Sequence, residues 1–296
     1  MSVRIIGHRG ARGLLPENTI AGFERALELG VDMVEIDVQV TADGVPVVVH
    51  DTVLTGALYR RGGSWLPEPG LSVSSATWAE LRTLDAGTAR PGGPVALAFP
   101  EQQPLAMTRI PRLSDVLSRL APSGVPILLE IKRDPTDPEP PSAAGCVDAM
   151  RSDIDATFKR GKGLVFQSFD WAILAEVQSR WPAANIAALT SERGTPRSVF
   201  THSPWLSRWA DDVARHGASA VIAANDWSTW SASEKDLDPE TTRRAQDAGL
   251  DVFAWTVNDL TRARALVAQG VDGVITDYPD RVNAQSCGGR DTGLLR

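Results

Sequence analysis

Short apolar runs recur along the whole of this 296-residue chain, and many of the stretches between them are amphipathic and end in glycine. The runs are "VRIIGH" (3–8), "DMVEIDV" (32–38), "VPVVVHD" (45–51), "VPILLEIK" (125–132), "GLVFQSF" (163–169), "NIAALT" (185–190), "SAVIAAN" (219–225), "LDVFAWTVN" (250–258) and "DGVITDYP" (272–279). Near-continuous β-branched runs fit strands buried on both faces, as in a parallel sheet wrapped by helices. "ENTIAGFERALELG" (17–30) and "DPETTRRAQDAG" (238–249) have the helical spacing and the terminal glycine of the intervening helices. An internal echo supports repeated units: "ALELGVDMVEID" (26–37) resembles "ALVAQGVDGVITD" (265–277), each a helix end, a glycine, Val-Asp, a strand and an acid. The pattern predicts an α/β fold, a (β/α)8 TIM barrel. Nine runs exceed the eight that close a ring, so one lies outside it or is not a strand. "QVTADGVPV" (39–47) carries an Ala-Asp-Gly turn with no room for a helix, so the second and third runs join without a crossover.

Positions 52–111 break the alternation. They hold "RRGGSWLPEPG", "ARPGGP" and one helix-like piece, "SATWAELRTLDAG" (75–87). A structureless loop of that length is implausible in a compact domain, so the segment reads as a small inserted subdomain after the third strand. A Pro-rich stretch, "RDPTDPEPPSAAG" (133–145), follows the fourth run. Both leave the barrel at strand C-terminal ends, where barrel active sites lie. The expected organisation is one domain over 1–282 and a flexible tail over 283–296.

The net charge of −7 argues against a general nucleic-acid binder. Two cysteines, Cys146 and Cys287, without metal-type spacing argue against a disulfide framework or a zinc site. No run approaches a membrane span, and no secretory signal is legible, so the expectation is a soluble cytoplasmic protein with no stable membrane insertion.

Chemistry concentrates at the ends of the first four runs. The first supplies His8 and Arg9, the second Glu35 and Asp37, the third His50 and Asp51, the fourth Glu130 and Lys132. Glu35/Asp37 and Glu130/Lys132 are each two apart, hence on one face of a strand. Three clustered carboxylates repel unless a cation joins them, and an oxygen-only set suits a hard ion such as Mg²⁺ or Ca²⁺. Arg9 and Lys132 suit phosphate oxygens. Two histidines can serve as general acid and base near neutral pH. Each motif alone is weak: Glu-x-Asp at a strand end is commonly a surface or capping pair. Their joint occurrence at four successive run ends points to phosphodiester cleavage.

With "PENT" after "GHRG", then "VEIDV", "PVVVHD", "LLEIK", "FQSFD", "WTVND" and "GVITDYPD", the chain resembles the glycerophosphodiester phosphodiesterase family over roughly 3–282. The resemblance implies a (β/α)8 barrel with an insertion after "HD". It implies hydrolysis of glycerophosphodiesters, such as glycerophosphocholine or glycerophosphoethanolamine, to sn-glycerol 3-phosphate and an alcohol. It implies a divalent cation (Mg²⁺ or Ca²⁺, or Mn²⁺) on Glu35, Asp37 and Glu130. His8 and His50 become the acid–base pair and Arg9 and Lys132 the phosphate contacts. The chain departs from the family after His50, where "TVLTGALYRRGGSW" replaces a common Thr- and Gly-rich run. Gln167 and Trp255 are further candidates for substrate contact, Trp255 as an apolar wall. "PENT" reads as a helix start capped by Asn18 or Thr19. Trp205, Trp209, Trp227 and Trp230 read as ordinary packing, and His202 and His216 as surface residues. The competing readings are a phospholipase C- or D-like barrel acting on lipid and a non-catalytic phosphate-sugar binding protein.

Overall fold

The computed structural model describes residues 3–287, apart from 138, 159–160, 195–196 and 284–285. Eight parallel strands close a ring. In chain order they are β1 (Arg4–Gly7), β2 (Met33–Val40), β4 (Ile127–Ile131), β5 (Leu164–Ser168), β6 (Asn185–Thr190), β7 (Thr229–Ser233), β8 (Asp251–Trp255) and β9 (Gly273–Thr276). β9 pairs with β1, and β1 with β2, which closes the circle. The ninth strand of this sheet, β3 (Pro46–Val48), runs antiparallel to the outer end of β2, Val38 opposite Val48. The surplus run thus lies outside the ring, joined to β2 by the short turn that the Ala-Asp-Gly sequence implies.

One expected strand is a helix. Residues 219–224 lie in the helix Ala218–Ala224, with Asn225 as its C-cap, and the ring strand is supplied by "TWSAS" (229–233). A short apolar run cannot be assigned by periodicity alone. Here four alanines favour the helix. The five residues of β7 are all buried although none is Val or Ile, because its neighbours cover both faces.

Alternation along the strands sorts side chains into two layers. Val34, Ile36 and Val38 of β2 point outward into the main core, where helices such as Ile20–Glu28 bury Phe23 and Ala26. Met33 faces inward and packs with Ile6, Leu128, Ala187, Phe253 and Ile275 as the floor of the barrel. Two and four residues beyond Met33, on the same inner face, come Glu35 and Asp37. The barrel interior is therefore apolar at its base and polar at its C-terminal mouth. Phe253→Ala, emptying the floor, should cost roughly 3–5 kcal/mol, read as a lower thermal midpoint. A change under about 1 kcal/mol would show that the floor is loosely packed.

Between β3 and the helix Leu113–Leu120, the chain forms two small antiparallel sheets. One pairs Val53–Leu54 with Leu71–Ser72; the other joins Arg60–Arg61 to Ser64–Trp65 and Leu84–Asp85. Leu54, Tyr59, Val73, Leu81 and Leu84 build a separate apolar cluster there. The helix-like piece at 75–87 is helical only over Trp78–Leu81, held by a Thr77/Glu80 capping box, and a second helix, Pro94–Ala98, follows.

Trp171, Trp209 and Trp227 pack edge to face, with ring centroids 5.3 to 6.0 Å apart, so most of the expected tryptophan packing is internal. His202 and His216 are exposed. Cys146 and Cys287 are free and buried. Of the expected tail, Asn283, Ser286 and Cys287 are described, with Cys287 packed into the main core; 288–296 lie outside the described residues. Among the described residues no helix is long and apolar enough to cross a membrane.

Candidate active site

Strand register assembles the carboxylates. β2 and β4 pair with Asp37 beside Glu130, and Glu35 lies two residues back on the same inner face. Glu35, Asp37 and Glu130 are buried, and each offers an oxygen within 4.8 Å of the others. Such crowding is costly for anions in a low dielectric. Burial, then Asp37 and Glu130, push the Glu35 carboxyl well above its ordinary range. Burial would raise Asp37 as well, but Lys132, Arg9 and His50 outweigh it and hold this carboxyl well below the usual value. Lys132 Nζ sits 2.5 Å from Glu130 and 3.2 Å from Asp37. Burial raises Glu130 despite that contact.

His8 and Arg9 follow β1 directly. Arg9 has a left-handed φ of 51°, uncommon for a residue with a Cβ. Two contacts hold it: its amide donates to Glu35 Oε2 at 2.7 Å, and its carbonyl accepts from the Asn18 amide at 3.1 Å. Gly10 then turns with φ 90°, and a Cβ there would meet the Gly22 backbone at 2.7 Å. Only glycine lets the loop approach the first helix so closely. The Arg9 guanidinium is braced by Glu17 Oε1 at 2.8 Å and Asp37 Oδ2 at 3.2 Å. Glu17 is shared with Arg12 Nε at 2.5 Å, and Arg12 stacks over Phe99, 4.4 Å from its ring centroid.

"PENT" is thus more than a helix start. Thr19 is the N-cap, accepting from the Gly22 amide at 3.1 Å. Asn18, also left-handed at φ 54°, turns back to the site. Its side-chain amide donates to Asp37 Oδ2 at 2.8 Å, and its Oδ1 accepts the Asp37 N–H at 3.2 Å.

His50 arrives differently from the expected ring-strand end. β2 overshoots the ring to Val40, and β3 returns antiparallel, so His50, two residues beyond β3, comes back down to the mouth. Gln39 fixes the return by donating to the carbonyls of Val49, His50 and Asp51. His50 Nδ1 lies 2.8 Å from Asp51 Oδ1. Burial, then Arg9 and Lys132, lower the His50 imidazole well below its ordinary 6.5. Burial likewise lowers His8, partly opposed by Asp277, whose Oδ1 lies 2.7 Å from His8 Nδ1.

These groups meet in one cavity of about 610 Å³ lined by His8, Arg9, Glu35, His50, Glu130, Lys132, Gln167 and Trp255. Asp37 lies just beneath it, 1% exposed. Gln167 is buried, with Oε1 3.5 Å from Ser231 Oγ. Trp255 Nε1 donates to the Ser231 carbonyl at 3.1 Å, and its ring meets Phe169 edge-on at 5.3 Å. Phe169, Trp205 and Trp255 form an aromatic wall of the cavity. Trp205 thus departs from the ordinary packing expected of it. The lining residues Arg12, Phe169 and Asp277 were not singled out from the sequence. Parity with Ile275, a floor residue, is the signal that puts Asp277 on the inner face.

A closed eight-stranded α/β barrel with charged groups converging at the C-terminal mouth defines a barrel-type enzyme site. A model of the Glycerophosphoryl diester phosphodiesterase family matches residues 8–281, and the chain belongs to that family. The Bacillus subtilis (strain 168) protein YhdW, assigned by name to the glycerophosphodiester phosphodiesterases, is 32% identical over 276 residues, covering 93% of this chain and 95% of its own. The glycerophosphodiester phosphodiesterase of Caldanaerobacter subterraneus subsp. tengcongensis is 28% identical over 283 residues, covering 95% and 96%. A crystal structure from Silicibacter pomeroyi DSS-3, assigned to the same phosphodiesterases, superposes with a TM-score of 0.84 at 34% identity, covering 97% and 93%. The Oleispira antarctica phosphodiesterase OLEI02445, solved with its product sn-glycerol-3-phosphate, shares the fold with a TM-score of 0.70 at 24% identity, covering 97% and 96%. The chain is a phosphoric diester hydrolase of this family.

Proposed function

We propose that this chain hydrolyses glycerophosphodiesters, such as glycerophosphocholine or glycerophosphoethanolamine, to sn-glycerol 3-phosphate and an alcohol, using a divalent cation. The observation that carries the reading is the convergence of three buried carboxylates, two histidines and two cations on one cavity. The donor set fits a hard ion. Glu35 Oε1 is buried with no hydrogen-bond partner among the described residues. Five buried acids (Glu17, Glu35, Asp37, Glu130, Asp277) face three cations (Arg9, Arg12, Lys132), which leaves an excess of two negative charges when all are ionised. Glu35, Asp37 and Glu130 would hold Mg²⁺, Ca²⁺ or Mn²⁺, which supplies Lewis-acid stabilisation of charge on a phosphoryl oxygen.

The chain's own groups account for the rest. Lys132 and Arg9 hold the phosphoryl oxygens, Arg9 on a guanidinium already fixed by Glu17 and Asp37. One imidazole takes the proton of the attacking nucleophile, water or the neighbouring glycerol hydroxyl, and the other returns one to the leaving alcohol; attack by the hydroxyl gives a cyclic phosphate that water then opens to glycerol 3-phosphate. The aromatic wall excludes water and packs the carbon skeleton of the substrate, with Gln167 at its polar edge. On this reading 1–282 act as one catalytic domain, and 52–111 are inserted into it.

The test is release of glycerol 3-phosphate from glycerophosphocholine and glycerophosphoethanolamine with Mg²⁺, Ca²⁺ or Mn²⁺, and again after EDTA. Turnover should need the cation and return when it is restored. No turnover of any glycerophosphodiester under these conditions overturns the substrate assignment, and full activity in EDTA overturns the cation.

A further inference from the structure

Among the described residues, the acid most firmly built into the site without a role so far is Asp277. It directly follows β9 and is 3% exposed. The β1–β9 register, Gly7 beside Thr276, brings the next pair, His8 and Asp277, side by side at the mouth. Both Asp277 oxygens are occupied. Oδ1 lies 2.7 Å from His8 Nδ1, and Oδ2 accepts from Asn258 Nδ2 at 2.6 Å. Asn258, in the loop after β8, also accepts the Asp277 N–H at 2.9 Å and the Thr276 hydroxyl at 3.2 Å through its Oδ1. The amide of Asn258 thus grips the acid from two sides, and its own orientation is fixed because the N–H of Asp277 can bond only to its oxygen. Burial alone would raise the Asp277 carboxyl; His8, then Arg12 and Asn258, bring it down to about 2.

We propose that Asp277, clamped by Asn258, is a positioning residue that holds His8 as the Nδ1–H tautomer with its bare Nε2 available to the reaction cavity. An ionised carboxylate can only accept, so the hydrogen of a neutral His8 must lie on Nδ1. Nε2 then keeps its lone pair, and the carboxylate stabilises the imidazolium formed when Nε2 takes a proton. His50 has no equal support. Its partner Asp51 has a side chain 42% exposed, with burial raising its carboxyl and no clamp comparable to Asn258 among the described residues. The inference rests on the proposed phosphodiesterase reading for its kinetic consequence, but not for the tautomer itself.

Asp277→Asn tests it sharply. Asn258 keeps donating to the oxygen of the new amide, which turns the amide nitrogen toward His8 Nδ1. Nδ1 must then accept, and the hydrogen moves to Nε2. In ¹⁵N-histidine-labelled full-length protein without added metal, with His8 assigned through a His8→Gln variant, long-range ¹H–¹⁵N spectra at neutral pH should show His8 as Nδ1–H in the wild type and Nε2–H in Asp277→Asn. With Mg²⁺ and glycerophosphocholine, Asp277→Asn should lower kcat by about 100-fold or more, the scale of a lost acid–base group, with KM changed less than about threefold. Asn258→Ala should give a smaller loss, and adding it to Asp277→Asn should cost nothing further. A wild-type Nε2–H tautomer, or an unchanged tautomer and kcat in Asp277→Asn, overturns the inference. So does a loss confined to KM or to thermal stability. If the wild type cleaves no glycerophosphodiester, the functional reading fails while the spectra still decide the tautomer.

Discussion

His50→Ala should lower kcat on glycerophosphocholine by about 10²–10⁴-fold, the range for removing a general acid or base, while cation affinity by titration calorimetry stays within about threefold. The geometry separates the two effects. His50 Nδ1 is directed at Asp51, not at the triad, and the triad is complete without it. Its ring enters from the β3 return, whereas all three acids stand on ring strands. Removing the imidazole therefore leaves the carboxylates and their Lys132 and Arg9 contacts in place. A collapse of cation affinity would make His50 a ligand and overturn the acid–base role. The pH dependence follows from the same surroundings. Burial and two fixed cations lower the His50 imidazole well below 6.5, so it stays neutral as pH falls through the range where a free histidine charges. If His50 acts as the base, the acid limb of the kcat/KM profile lies below pH 6.5. If that limb sits above 6.5 and is unmoved by His50 substitution, His50 is not the base.

The elements easiest to read from the sequence were those whose two faces carry different demands. Met33, Glu35 and Asp37 share the inner face of β2, and the two-residue period exposes that at once. Harder were features set by the third dimension. The return of β3 depends on how far β2 overshoots its neighbours, which no local pattern records; His50 was nonetheless found because it follows an apolar run. The mistaken strand at 219–225 shows the converse, a run apolar enough for either structure whose fate depended on what packs around it. Glu17 and Asn18 look like ordinary helix-start residues because their local job and their site job use neighbouring positions: Thr19 caps while Asn18 turns away. Asp277 was within reach. The echo between "GVDMVEID" and "GVDGVITD" aligns it with Asp37, and the strand register sets it level with His8 and Glu35 on the same ring. Repeated βα units repeat the inner face as well as the fold, so the acid at the matching step points to the same mouth.

Glu35→Gln separates function from stability in opposite directions. The substitution keeps the shape and the acceptor for the Arg9 amide, 2.7 Å away, but removes a charge from the triad. Cation affinity should fall by at least about tenfold, since a hard ion depends on ligand charge. Metal-free protein should become more stable at neutral pH. The Glu35 carboxyl is raised well above 4.5 by burial, Asp37 and Glu130, so the folded state holds a proton that the unfolded chain gives up. For a group raised in this way, stability is fully present below the unfolded value of 4.5 and declines as pH rises toward the folded value. Gln has no proton to give up, so the variant escapes the decline. Its advantage should be near zero at pH 4 and reach about 1–3 kcal/mol at pH 7, the scale for an unsatisfied buried polar group. Chemical denaturation in EDTA at the two pH values reads this directly. Saturating Mg²⁺, Ca²⁺ or Mn²⁺ should then reverse the order, stabilising the wild type by mass action far more than the variant. A variant less stable than the wild type at pH 7 in EDTA would mean that the buried triad carries no strain. Equal cation affinity would remove Glu35 from the ligand set.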